Sequence, residues 1–193
     1  YSDDNYFKYL KLDLKYLFNL ASSSNRKLRY IEDSLRMLKT NSTLYSRLNW
    51  SNYTKKDILL VHEILVKEYN LLKIKNYPIV ITPKENALSY IKDQFTLLPI
   101  STTQELKNIG SSMCICVGSY ADFAVKKQLT IYCVYQYGIP VCCIEINNNT
   151  VCQVKLAYNK RVSSNTDLYF FLNDWYLENK ETLQKGLIDI LYL

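Results

Sequence analysis

The sequence predicts an α+β fold: an N-terminal helical layer, a central three-stranded antiparallel meander, and C-terminal helices over one face of the sheet. Three observations carry this. Apolar residues recur at helical spacing as far as residue 110, the period becomes two from Gln128 onward, and helical spacing returns after Thr166. The stretch Met113-Cys114-Ile115-Cys116-Val117-Gly118-Ser119-Tyr120 sits where the period changes and holds two of the six cysteines. At 193 residues with 48% hydrophobic content, the chain reads as a basic helical subdomain over 1–76 and an α+β core over 77–193, packed as one compact unit.

Three helices account for the first part. Asp3 to Leu20 places Phe7, Leu10, Leu14, Leu17 and Phe18 on one face. After Ser22-Ser23-Ser24, a second helix over 25–39 carries Leu28, Ile31, Leu35 and Leu38 as its stripe. A polar connection with Trp50 leads to a third helix, Thr54 to Leu72, facing Ile58, Val61, Leu65 and Leu72 inward. His62, the sole histidine, lies beside that stripe and reads as a structural residue.

Pro78 to Ile81 is a short strand or an extended link. Thr82-Pro83-Lys84-Glu85 is a capping box with proline at the first helical position, opening a helix to Phe95 that buries Leu88, Ile91 and Phe95. A short helix after Thr103 turns Leu106 and Ile109 inward and ends at Gly110. A helical turn over Ala121 to Val125 follows the cysteine stretch.

The meander comes next. Leu129, Ile131, Cys133 and Tyr135 alternate with Thr130, Tyr132 and Val134, and Tyr137-Gly138-Ile139-Pro140 makes the turn. Val141 to Ile146 and Thr150 to Tyr158 are the other two strands, joined by Asn147-Asn148-Asn149. A three-residue loop pairs Ile146 with Thr150 and Cys143 with Gln153. Cys143, Glu145 and Gln153 then share one face, and Cys142, Ile144, Cys152 and Val154 share the core face. Thr166-Asp167 caps a helix to Tyr176 anchored by Leu168, Phe171, Leu172 and Trp175, and a last helix spans 179–191.

Charge and composition narrow the function. Residues 1–76 hold 14 Lys/Arg against 8 Asp/Glu, while residues 77–193 hold 10 of each, so the whole excess of +6 is N-terminal. Arg26, Lys27, Arg29 and Arg36 project from the second helix and are the candidate nucleic-acid contacts. The six cysteines, all between Cys114 and Cys152, are expected as buried thiols of a reducing compartment. Neither C-x-C nor C-C has the spacing of a structural zinc site, so no metal and no cofactor are expected. No run of eighteen apolar residues suggests a membrane span, and no signal pattern precedes the fold; the chain opens on Tyr1, which leaves room for residues ahead of it. Asn41-Ser42-Thr43, Asn52-Tyr53-Thr54 and Asn148-Asn149-Thr150 match the glycosylation pattern, but with 17 asparagines about two matches are expected by accident, so they are no evidence for secretion. The richness in Asn, Lys, Tyr and Ile hints at an AT-rich genome.

Cys116-Val117-Gly118-Ser119-Tyr120, then Pro140 with Glu145 five positions on, then Gln153 with Asn159 six positions on, then Trp175, resemble the PcfJ-like proteins of conjugative plasmids and phages. The resemblance spans Gly110 to Trp175 and makes 77–193 a PcfJ-like core. It implies a binding site formed by Cys116, Gly118, Tyr120, Glu145, Gln153 and Asn159. The family's histidine before the cysteine falls at Ile115, its threonine at Cys143, and its glycine after the glutamine at Leu156. Without that histidine no general base stands beside Cys116 in sequence. The expected function is therefore a non-catalytic binding or accessory protein of a phage, virus or other mobile element, contacting nucleic acid or a nucleoprotein complex. A structural subunit of a virion or other assembly is one alternative. An enzyme using Cys116 and Glu145 is the other. The expected location is the host cytoplasm or the virion, away from membranes.

Overall fold

The computed structural model describes residues 25–40, 44, 58–72, 75–164 and 166–183. The expected helix over 3–20, the connection carrying Trp50, and the last helix beyond Leu183 lie outside the described residues. The chain divides into two compact units, Tyr1–Lys73 and Ile74–Leu193.

In the first unit, α1 (Asn25–Thr40) and α2 (Ile58–Leu71) pack on each other. Their apolar spacing explains it: Ile31, Met37 and Leu38 of α1 and Val61, Leu65 and Val66 of α2 are buried, as an i, i+3/i+4 stripe requires. His62 is 1% exposed, stacks edge-on against Tyr30 with ring centroids 4.9 Å apart, and lies 3.9 Å from an Asp33 carboxylate oxygen.

The second unit is built on a five-stranded antiparallel sheet in the order β1-β2-β3-β4-β5, not a three-stranded one. Of the two extra strands, β1 (Tyr90–Lys92) falls inside the segment expected to be helical, and β2 (Phe95–Pro99) begins at its last residue. The capping box is present: Thr82 Oγ1 accepts from the Glu85 N–H, and Glu85 Oε2 accepts from the Thr82 N–H at 2.7 Å. Yet α3 is only Pro83–Ala87. Ile91, expected inward, is 72% exposed on the edge strand. Pro78 makes only an isolated bridge, to Thr102.

Further on, α4 (Thr103–Met113) starts at the Thr102 cap and runs through Gly110 instead of stopping there. It ends where Cys114 turns left-handed at φ 53°. The Ile115 N–H then reaches back to the Gly110 carbonyl at 3.0 Å, closing a six-residue C-terminal loop. Cys116–Tyr120 forms a 3-10 helix, and α5 (Ala121–Val125) follows as expected.

The strands β3 (Thr130–Gln136), β4 (Ile139–Asn147) and β5 (Thr150–Leu156) form the meander. The loop between β4 and β5 has two residues, Asn148 and Asn149, both left-handed at φ 47° and 62°, which matches the twist of a tight hairpin. Asn147 therefore pairs with Thr150, and Cys152 is extruded where the register shifts. Beyond that irregularity Glu145 faces Gln153 and Cys143 faces Lys155. The expected pairings shift, but Glu145 and Gln153 still share a face.

Both faces of the sheet are covered. One buries Phe95, Leu97, Tyr132, Val134, Cys142, Ile144 and Val154 together with Phe171, Leu172 and Trp175 of α6 (Asp167–Asn179). Trp175 is fully buried, and its indole N–H donates to the Leu88 carbonyl at 2.8 Å. Against the other face lies α4, where Met113 Sδ contacts Cys143 Sγ at 3.9 Å and Glu105 accepts from the Tyr135 hydroxyl at 3.0 Å. This double cover explains why Thr130 to Val134 are all buried despite their alternating sequence.

Candidate functional site

The site grows out of the end of α4. The left-handed turn at Cys114 swings the chain so that Ile115 and the whole 3-10 helix Cys116–Tyr120 are buried. Within that helix the Ser119 hydroxyl donates to the Cys116 carbonyl at 2.7 Å, which satisfies a buried polar side chain locally. Gly118 is buried in the middle of the helix. Tyr120, at its end, is placed to meet the sheet.

Register on the sheet supplies the opposing wall. Glu145 on β4 and Gln153 on β5 are direct partners, and the next pair on the same face is Cys143 with Lys155. The Gln153 side-chain amide donates to the Tyr120 hydroxyl at 3.2 Å, joining positions 33 residues apart. After β5, a short 3-10 turn over Ala157–Asn159 takes Tyr158 and Asn159 to φ 57° and 56° and brings Asn159 to the rim.

A pocket of about 30 Å³ results, lined by Cys116, Tyr120, Glu145, Gln153 and Asn159, with Lys155 among its other walls. It has room for a water molecule or two. Five of the six sequence-derived positions thus converge on one pocket, while Gly118 is not on its wall. Sequence reasoning put Cys143 on the face of Glu145 and Gln153 without naming it as a site residue, and it missed Lys155, two residues from Gln153 on the same strand. A hydrogen bond with Cys133, together with burial, pushes the Cys143 thiol well above its ordinary range, so it is protonated near neutrality. None of the six cysteines is in a disulfide; four are buried, Cys152 is half-buried and Cys114 is exposed.

The basic candidates lie in the other unit. Arg26, Lys27, Arg29 and Arg36 are all on α1. Only Arg36 has a described side chain, and its guanidinium pairs with Asp33 one turn earlier, which offsets part of its charge. No helix among the described residues is long and apolar enough to cross a membrane.

A family model of PcfJ-like proteins matches residues 30–169. That is nearly three quarters of the chain, reaching from α1 to the first turn of α6, well beyond the stretch whose motifs are legible. No curated protein and no solved structure matches.

Proposed function

The chain belongs to the PcfJ-like family, which points to a plasmid-associated protein, and on that basis we propose that it is a non-catalytic binding protein of a mobile element that contacts nucleic acid or a nucleoprotein complex. The observation that carries this reading is the pocket. Its volume of about 30 Å³ is an order of magnitude below the ~300–1,000 Å³ of ordinary small-molecule sites. Gln153 is already committed to Tyr120, and the position of the resemblance's histidine is the buried Ile115. The pocket's walls therefore act as a tie between the 3-10 helix and the sheet. Partner contact falls to the charged part of the chain, where four basic positions share one sixteen-residue helix.

The test is the affinity of a fluorescent 20-base-pair duplex and of a matching single strand, followed by anisotropy. Replacing Arg26, Lys27 and Arg29 together by glutamate should weaken binding more than tenfold in a protein whose melting curve is retained. Arg36→Gln should change it little, because Asp33 already pairs with that guanidinium. Equal affinity of the triple variant and the parent would overturn the assignment.

A further inference from the structure

Sulfur atoms gather behind the pocket, and the binding role does not use them. Cys133 and Cys143 stand directly opposite each other on β3 and β4, a pairing that puts their Cβ atoms about 4.5–5.5 Å apart on the same face. Cys143 Sγ is 3.9 Å from Met113 Sδ at the end of α4. Met113, Cys133 and Cys143 are all buried. Cys143 also lines the pocket, so the cluster has an entry path from outside the core.

Spacing and ligand type both bear on a metal ion. A metal bonded to three sulfurs at about 2.3 Å in a plane holds them about 4 Å apart, close to the observed separation of Cys143 and Met113. Thiolate and thioether donors with no oxygen ligand select soft ions over hard ones. We propose that Cys133, Cys143 and Met113 form a three-sulfur site for a soft monovalent cation of the Cu(I) or Ag(I) class, reached through the pocket beside Tyr120 and Gln153. Each cysteine S–H bond breaks as its sulfur–metal bond forms, and both protons pass to solvent. The ion stays monovalent and nothing is oxidised. Two thiolates and one cation leave a net charge of −1 in the core. Lys155, across from Cys143 on β5 and on the same pocket, supplies a neighbouring positive charge. Since two protons leave per ion, affinity rises up to about a hundredfold per pH unit while the thiols are protonated.

The test uses the full chain under anaerobic conditions, with Cu(I) shared against a colorimetric Cu(I) chelator. One ion per chain is expected, with release of two protons and three sulfur neighbours in the X-ray absorption spectrum. Met113→Leu conserves volume and should lower the affinity at least tenfold, as should Cys143→Ser if that variant folds. Cys142→Ser, on the opposite face of the sheet, and Cys114→Ser, at the surface, should retain the parent's affinity. Failure to hold Cu(I) against the chelator, a coordination shell of nitrogen or oxygen, or a Met113→Leu protein that binds as well as its parent would overturn the site.

Discussion

Replacing Glu85 by glutamine keeps the shape of the capping box and removes only the charge. The carboxylate is the hub of the corner where α3 meets the sheet. It accepts from the Thr82 N–H at 2.7 Å, from Lys127 Nζ at 2.7 Å, and from the Thr130 hydroxyl. Burial raises its pKa, but the bonds from Lys127, Thr130 and Thr82 outweigh that and bring it down from 4.5 to about 2. A carboxyl lowered from 4.5 to about 2 corresponds to about 3 kcal/mol. The side chain is 19% exposed, and solvent screening reduces the expected contribution to ~1–2 kcal/mol. Because the folded-state pKa is depressed, this stability is fully present above pH 4.5 and drains away as pH falls from 4.5 toward 2. Glu85→Gln should therefore melt roughly 2–8 °C below the parent at pH 7. The gap should narrow steadily below pH 4.5, read by thermal circular dichroism across a pH series. A gap that stays constant down to pH 3 would refute the reasoning, since it would locate the loss in packing rather than charge.

Three further outcomes follow from particular contacts. Trp175→Phe leaves the Leu88 carbonyl without its buried donor and should cost about 2–4 kcal/mol in urea denaturation, from the orphaned acceptor and the lost ring volume. Gly138→Ala meets no atom within 4 Å of the added methyl, so its cost is purely that of φ +80°, about 1 kcal/mol on the same measurement. Cys116→Ala combined with Glu145→Gln should leave nucleic-acid affinity within twofold of the parent in a competition assay; a large loss would move the partner to the pocket and favour the enzyme reading of those two residues.

Why part of this fold is legible in the sequence can be seen element by element. Thr82, Thr102 and Thr166 each accept from the backbone N–H three residues on, a local event that local sequence encodes. Such a cap fixes where a helix begins, not where it ends. Leu88, Ile91 and Phe95 are spaced as a helix face would be, yet Asp93 adopts φ 50° and turns the chain into the β1–β2 hairpin. Short edge strands carry too few residues for a period of two to outweigh that coincidence. The end of α4 misleads for a similar reason: glycine is the usual left-handed terminator, but here Cys114 takes that conformation and Gly110 stays helical.

The site divides along the same line. Alternation places Glu145 and Gln153 on one face, and the extrusion of Cys152 shifts the register without separating them. Alternation alone also reaches Cys143 and Lys155, two residues away on the same strands. The contact between Gln153 and Tyr120 is different in kind. It depends on how the 3-10 helix docks on the sheet, and no spacing within either segment encodes that. The basic residues are visible as composition, but the pairing of Arg36 with Asp33 emerges only once the helix is formed.

The central claim, that this PcfJ-like chain binds nucleic acid through its basic helix, is tested most directly by the affinity for a duplex measured as a function of salt. Three to four phosphate contacts give a log–log slope of about −2.7 to −3.6, so raising salt from about 50 to 200 mM should weaken binding roughly 40- to 150-fold. A slope near zero, or no binding at the lowest salt, would contradict the claim and leave the charge on α1 as ordinary solvated surface.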